Sequence, residues 1–428
     1  MEKLNLVCDP WVGKIKENAW HSFPVYKNGI AHLKKINPGF IYISHLHTDH
    51  LDRKLLSKWA KFKPNCKIII KKFKDERLKK NLKSLGFKKF FEFEEWKIYD
   101  IENHKIVIIP QMTSNKDGIK TSIEYDLDTS ILIYSKKTKK IFFNNVDNPL
   151  SEKDIIIINK FVKKNFKTNI HIACFPVGAA SEYPQCFLNI NRAEEKKKVI
   201  AKSLETTRNK LEIMKPDVFF QAGGTYILYG KFAELNKYIA QPDETKDFKK
   251  ILPQNSKFAE IEGNGYIQFQ NNQWQIKRNT VDLKSLKKKL EKKIKKIDYD
   301  YLKLKIDKKN LDKIFEKAKD NYLQKLLRFK VNTSWSIDFY VYDNLKINNL
   351  VIDKKKSKLF KKYSVKYKSK KNTQNSKLLV YIDIQLFYLL LKRAYPWNIS
   401  LSGSYILYKR YPNKFDPNVT FSLNFLCC

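Results

Sequence analysis

The stretch YISHLHTDHLD, residues 42–52, decides how this chain is read. It gathers His45, His47 and His50, three of only seven histidines in the chain, and adds Asp49 and Asp52. The β-branched and aromatic run before the histidines, FIYIS, predicts a strand. A strand that opens into a polar loop delivers side chains to the carboxyl edge of a sheet, where α/β proteins bind ligands. His45 and His47, two apart on an extended loop, point the same way toward one metal, while Asp49 and His50 bend back toward a second position about 3.5–4 Å away, as in two-metal sites. Neutral imidazoles with a carboxylate suit zinc or iron(II), and Asp52 is placed to orient a ligand from behind. The competing reading is a polar loop that carries histidines by chance, and the scarcity of histidine elsewhere argues against it.

Outward from this motif, short apolar runs alternate with polar helical stretches: LNLVCDP, CKIIIKK, HKIVIIPQ, SILIYS, KIFFNNVD, NIHIACFPVG, DVFFQAGG and GYIQFQ. Such runs, closed by turn formers, predict strands, so residues 1–280 read as a sheet-rich α/β or α+β domain. AEEKKKVIAKSLETTRNKLEIMKPD is its longest helix candidate, stopping ahead of Pro216. From about residue 281 the texture changes. Leu283, Leu286, Leu290, Ile294 and Ile297 recur at helical spacing among lysines, which predicts an amphipathic, solvated helix. A second helix is expected around Leu311–Phe329. We read residues 281–330 as a Lys-rich helical connector and 331–428 as a small α+β C-terminal domain. There is no internal repeat.

Composition narrows the partners. With 85 Lys and Arg against 44 Asp and Glu, the net charge is +41. The excess is lysine spread along the whole chain, so it favours attraction of small anions such as nucleotides, and nucleic acid is not an expected partner. The six cysteines are scattered, with no Cys-x-x-Cys or zinc-finger spacing, and read as reduced thiols; no iron-sulfur cluster is expected in this chain. The N-terminal residues lack the pattern of a signal sequence, and no apolar run approaches the roughly 20 residues of a membrane span, so a cytoplasmic location is expected.

Taken with its preceding strand and the Leu-Asp that closes it, the histidine motif resembles the signature of the metallo-β-lactamase superfamily. Five further segments, CDPW (8–11), TSILIYS (129–135) leading into FFNNVDNP (142–149), GAASEYP (178–184), KPDVFFQAGGTY (215–226) and YPWNISLSGSYILYKRYP (395–412), are similar in order and context to the CMP-N-acetylneuraminate hydroxylase family within it. The resemblance implies an α/β fold, the αβ/βα sandwich with metals at the sheet edges, carrying a smaller C-terminal α+β domain. It implies a metal-dependent, monooxygenase-like enzyme acting on a nucleotide-activated or amino sugar in surface-glycan biosynthesis. A metallo-hydrolase of amides or phosphodiesters, or a binding protein with a degenerate metal site, are the alternatives.

By the same resemblance Asp147 stands where the family has its metal-bridging aspartate. The ligand set is then His45, His47, Asp49, His50 and Asp147, with Asp49 and His50 as the catalytic pair and iron or zinc, one or two ions, as cofactor. Two family histidines are missing. The one expected after KIVIIP is replaced by an acidic stretch in which Gln111, Asp117, Glu124, Asp126 or Asp128 can offer oxygen instead, and His104 lies on the wrong side of the strand. None follows QAGGTY either, and His171 reads as a hydrogen-bonded core histidine. The Cys and His ligands of the family's Rieske module are absent too, so a separate protein would have to donate electrons. Gly178, Ser181, Gly223 and Gly224 are the candidate substrate-binding positions, where small residues let backbone N–H groups approach a phosphate or simply make tight turns. Trp11 and Trp20 either stack on a base or sugar or pack in the core.

Overall fold

The computed structural model describes residues 4–12, 20–24, 28–112, 128–178, 183–222, 226–242, 245–278, 281–331, 333, 335–348, 351–366, 376–397, 400 and 403–428. Its elements run β1 (Leu6–Cys8), β2 (Trp20–Ser22), α1 (Gly29–Ile36), β3 (Phe40–Tyr42), α2 (Arg53–Phe62), β4 (Lys67–Lys71), α3 (Arg77–Ser84), β5 (Lys89–Phe93), β6 (Tyr99–Ile101), β7 (His104–Pro110), β8 (Thr129–Ser135) and β9 (Ile141–Asn144). There follow α4 (Glu152–Phe166), β10 (Ile172–Phe175), α5 (Arg192–Met214), β11 (Val218–Gln221), β12 (Tyr226–Leu228), α6 (Thr245–Lys249), β13 (Lys257–Phe258), β14 (Tyr266–Gln270), β15 (Gln273–Lys277) and α7 (Leu283–Ile294). The last part holds α8 (Leu311–Arg328), β16 (Ser336–Asn344), β17 (Ile347–Asn348), β18 (Val351–Ile352), β19 (Lys358–Val365), β20 (Lys377–Asp383), α9 (Ile384–Leu391), β21 (Leu407–Tyr411) and α10 (Pro417–Ser422).

Two sheets carry the N-terminal part: a four-stranded one, β1-β3-β4-β5, all parallel, and a seven-stranded one, β13-β11-β10-β9-β8-β7-β6, antiparallel from β6 to β9 and parallel beyond. Successive strand residues face opposite ways, and the buried residues divide accordingly. Phe40, Tyr42 and Ile69 of one sheet meet Ile106, Ile108 and Ile131 of the other in a single cluster between the sheets. Their neighbours Ile41, Ile68 and Ile70 turn outward to Leu33 of α1, Trp59 of α2 and Leu82 of α3. On the far side Val107, Ile109, Leu132 and Phe143 receive Ile155 and Ile158 of α4 and Leu211 of α5. Strands covered on both faces read as unbroken apolar runs rather than alternating ones, which is the pattern of KIIIK and KIVIIP. The architecture is mixed α/β, an αβ/βα sandwich.

Local sequence sets where these helices begin and end. Asp52 accepts from the Leu55 N–H at 2.9 Å and caps α2. Ser151 and Asp154 form a reciprocal capping box at α4. α5 starts on Asn191 and stops at Lys215, whose left-handed backbone ends the helix before Pro216.

The C-terminal sheet, β19-β16-β20-β21, packs Phe339 against Phe315 of α8 and Phe387 of α9. Its core is continuous with Trp20 of β2, Leu228 of β12 and the turn residues Phe232 and Leu235, so α8 and the sheet close over the N-terminal part. Lys231 Nζ reaches the fully buried Asp383 carboxylate at 2.7 Å, where Tyr301 and the Leu345 N–H also donate. Among the described residues no helix is long and apolar enough to cross a membrane.

Candidate metal centre

The histidine loop leaves β3 at the sheet edge, and its first residues are held from three directions. Tyr42 and Thr129 share a hydrogen bond of 2.6 Å between their hydroxyls, and Thr129 Oγ1 donates to the Ser44 carbonyl at 2.9 Å. β1 pairs in parallel with β3, Cys8 opposite Tyr42, which sets the next residue, Asp9, beside Ser44. The Asp9 carboxylate accepts from Ser44 N–H at 2.8 Å, from Ser44 Oγ at 2.6 Å and from His50 Nδ1 at 2.9 Å. Beyond His47 the chain turns, its carbonyl accepting from the N–H groups of His50 and Leu51. Leu51 is buried and Asp52 starts α2, so the loop is fixed at both ends.

These bonds determine which ring nitrogens carry hydrogen. The Ser44 hydroxyl has one hydrogen and gives it to Asp9, so at 2.9 Å from His45 Nδ1 it accepts. His45 Nδ1 is therefore protonated, and in the neutral ring Nε2 presents a lone pair. His50 Nδ1 likewise donates to Asp9 and turns Nε2 the other way. A carboxylate or carbonyl behind a ligating imidazole is the usual arrangement at metal sites.

The inward-facing atoms fall into two groups, each with its atoms within 4.8 Å of one another: His45, His47 and Asp128, and His45, His50 and Asp147. His45 Nε2 lies 2.7 Å from His47 Nδ1 and 3.0 Å from Asp128 Oδ1. His50 Nε2 lies 3.1 Å from Asp147 Oδ2 and 3.7 Å from Asp49 Oδ2. Asp147 is presented from the end of β9 by a bracket in which the Asn145 amide donates to the carbonyls of Val146 and Asn148, and the Asn148 amide to Ser130 Oγ.

Electrostatics separate the two groups. Burial, then the nearby charges of His50 and His47, pull His45 well below the ordinary histidine range, keeping it a neutral donor of its lone pair. Burial also pulls His50 down, but the charges of Asp147 and Asp49 and the hydrogen bonds to Asp147 and Asp9 outweigh it and raise His50 well above that range. Asp49 is pushed up mainly by burial; Asp147, though burial opposes it, is drawn down by His50. Without a metal, then, a proton on His50 is held between the carboxylates of Asp147 and Asp49. With one, the same convergent nitrogen and oxygen atoms are a ligand set: the residues fit a metal ion.

Of the five ligand candidates of the sequence reading, His45, His47, His50 and Asp147 fall in these two groups and Asp49 lies 3.7 Å from His50 Nε2; of the oxygen donors named for the missing histidine, Asp128 stands in the first group. Asp117, Glu124 and Asp126 lie outside the described residues, as do Ser181, Gly223 and Gly224. Gly178 is described: its N–H donates to Ser203 Oγ at 2.9 Å, and a β-carbon there would come within 2.8 Å of the Ala240 carbonyl, so its small size serves packing against that segment. Asp52 spends its carboxylate on the α2 cap rather than on a histidine. His171 accepts from the Ile141 N–H at 3.1 Å in the core, and His104 lines a separate cavity of 220 Å³ under the β14–β15 hairpin. Asp9 and Ser44 were not singled out in the sequence. The available signal was an aspartate directly after the first apolar strand, meaningful only once β1 is known to lie beside β3.

No family model matches the chain. Among curated proteins it is similar to two from Mycobacterium tuberculosis named as Rieske 2Fe-2S iron-sulfur proteins, 32% identical over 88 residues, 21% of this chain and 16% of theirs. A protein of the same description from Mycolicibacterium smegmatis is 29% identical over 89 residues. The match thus spans about a sixth of those relatives. Solved structures of related arrangement include CmlA, a diiron β-hydroxylase from Streptomyces venezuelae (12% identity, 51% of this chain and 42% of that one, TM-score 0.34), and the metallo-β-lactamase-fold protein YhfI from Bacillus subtilis (9%, 54% and 80%, 0.33). The short form of human tRNase Z gives 10% identity over 52% of this chain and 83% of that one, with a TM-score of 0.31. At these scores the likeness bears on no individual residue.

Proposed function

We propose that this chain is a metal-dependent oxidoreductase in which His45 Nε2, His47 Nδ1 and Asp128 Oδ1 hold one iron ion and Asp49, His50 and Asp147 a second. The observation that carries the reading is the first group: two imidazoles and one carboxylate whose ligand atoms lie within 4.8 Å of one another, His45 Nε2 being 2.7 Å from His47 Nδ1 and 3.0 Å from Asp128 Oδ1. Two histidines and a carboxylate with open positions suit iron(II) in oxygen chemistry and equally a catalytic zinc, and it is the resemblance of the motifs to CMP-N-acetylneuraminate hydroxylases that favours iron in this reading. Bound iron would supply one-electron and O2 chemistry. The chain's part is to keep His45 neutral through Ser44, to hold the His50 ring by its Nδ1–H on Asp9 so that Nε2 faces the second ion, and to set Asp49 beside His50.

The substrate in this reading is a nucleotide-activated or amino sugar of surface-glycan synthesis, from the resemblance of the motifs to CMP-N-acetylneuraminate hydroxylases, and the net positive charge favours such an anion. Electrons come from a separate iron-sulfur protein. The relatives' description as Rieske proteins supports this kind of donor, and the six cysteines of this chain lack the pattern to hold such a cluster.

Elemental analysis of protein purified anaerobically without chelator tests the proposal, beside a His45→Ala/His47→Ala variant. Iron near stoichiometry that falls in the variant is expected. Zinc in its place would turn the reading to a hydrolase, and absence of metal from both samples after reconstitution would leave a binding protein.

A further inference from the structure

The metal centre uses one end of the seven-stranded sheet, and a cavity lies at the other end of the same strands. β7 runs from His104 to Pro110, which pairs with Thr129 at the metal-centre end, and β9 runs from Ile141 toward Asp147. On the inner face of the sheet Ile133, Phe142 and Ile172 stand in register across β8, β9 and β10. Ile133 still packs on the cluster between the two sheets. Past it the same face is roofed by the β14–β15 hairpin, whose Ile267, Phe269 and Trp274 line a cavity of 220 Å³ together with those three floor residues. The alternate hairpin positions, Gln268, Gln270, Gln273 and Gln275, are exposed, so the apolar face of the hairpin is spent on this roof. An apolar cavity of about 150 Å³ accepts benzene, and drug-sized ligands need about 300 Å³ or more. The space suits one ring with one small substituent.

Polar atoms of the wall select that substituent. Lys140 Nζ lies 4.7 Å from the centre of the Phe269 ring and 5.8 Å from that of Trp274. Aromatic faces hold the charge of an ammonium group but leave its hydrogens free for a conventional acceptor. Its ion-pair partner, Asp217 Oδ2, is 3.9 Å away, outside hydrogen-bond reach, and that oxygen already accepts from Trp274 Nε1 at 2.8 Å. Lys140 is thus held in place, charged, with hydrogens to donate. Among the described residues no acidic side chain lines the cavity. His104, opposite Ser135, contributes an imidazole whose Nδ1 is buried with no hydrogen-bond partner. Burial, outweighing the nearby Glu102, pulls it below the ordinary histidine range, so Lys140 is the one cation of the wall at neutral pH.

We propose that this cavity is a second binding site, for a small aromatic carboxylate whose ring lies between Phe142 and the Phe269–Trp274 pair and whose carboxylate accepts from Lys140 Nζ. It shares no residue with the metal centre and does not depend on the reading of that centre.

The probe is 4-fluorobenzoate, added to full-length metal-free protein and followed by fluorine NMR, which reads the bound fraction. Saturable binding is expected. Loss of a charge-assisted hydrogen bond should weaken it at least about tenfold in Lys140→Gln, and 4-fluorotoluene, the same ring without the charge, should bind the unaltered protein more weakly by a similar factor. Ile267→Trp, whose larger side chain fills the space, should abolish binding, while His45→Ala/His47→Ala should bind as the unaltered protein does. Absence of saturable binding, equal affinity in Lys140→Gln, equal affinity for 4-fluorotoluene, or undiminished binding in Ile267→Trp would each overturn the proposal. Loss in the histidine variant would overturn it too, by placing the carboxylate at the metal centre. If Ile267→Trp fails to fold by near-ultraviolet circular dichroism, Lys140→Gln decides beside Lys140→Arg, which keeps the charge and should retain most of the affinity.

Discussion

Asp9 shows how much a single carboxylate outside the histidine motif can govern. It sets the Ser44 hydroxyl, through it the protonated nitrogen of His45, and directly the ring of His50. Removing such a partner typically lowers metal affinity by about 10–100-fold. We expect that loss for zinc in Asp9→Ala by calorimetry, with the fold intact by circular dichroism; unchanged affinity would show that the His45 and His50 rings are held by other means. His50 gives a pH dependence whose sign follows from its raised pKa. In metal-free protein its ion pairs with Asp147 and Asp49 contribute stability that is fully present below the unfolded value of about 6.5 and is lost as pH rises through the higher folded value. Metal affinity runs the opposite way, strengthening as pH rises through that folded value, because the metal must displace the His50 proton. Zinc uptake at neutral pH should release protons, visible as a binding enthalpy that changes with the ionisation enthalpy of the buffer. A buffer-independent enthalpy would contradict it.

Among the elements, those that satisfy themselves locally were legible. α5 has its Asn cap, its first-turn Glu194 and Glu195 and its stop before Pro216, and the structure ends it at Met214. α4 begins on a capping box that is worth about 1 kcal/mol, so Ser151→Ala should lower the unfolding free energy by about that much, seen as a lower urea midpoint with the slope unchanged. Elements that exist through a distant partner were not legible. β2 and β12 have three residues each and are strands because Trp20 pairs with Leu228. β15, QWQIK, is half-exposed at alternate positions, and two apolar residues among glutamines carry too little period to be seen. Asp128 belongs with these. It was one of several acidic residues in one stretch, and only the close pairing of β7 with β8, Pro110 opposite Thr129, brings it to His45.

At the scale of the whole molecule, two parts that differ in texture share one core. Trp20, Leu228 and Phe232 lie in the same cluster as Phe339, Phe387 and Trp397, and Lys231 crosses to Asp383, which is fully buried. Removing the cation of a buried pair leaves the carboxylate uncompensated at a cost of about 3–5 kcal/mol. Lys231 is partly exposed, so Lys231→Ala should fall near the low end, about 3 kcal/mol in urea denaturation. A loss below about 1 kcal/mol would mean that Tyr301 and the Leu345 N–H suffice to hold the charge.

The sequence by itself determined the α/β class and the strand that carries the histidine loop, with His45, His47, Asp49 and His50 on that loop. Those features are written locally, in apolar runs, caps and ligand residues a few positions apart. Only the tertiary structure decided that Asp128 stands beside His45, and that Asp9 sets the protonated nitrogen of His45 and of His50. Each of these depends on which strands lie side by side. That choice is made by the burial of whole faces, and no short stretch of residues encodes it.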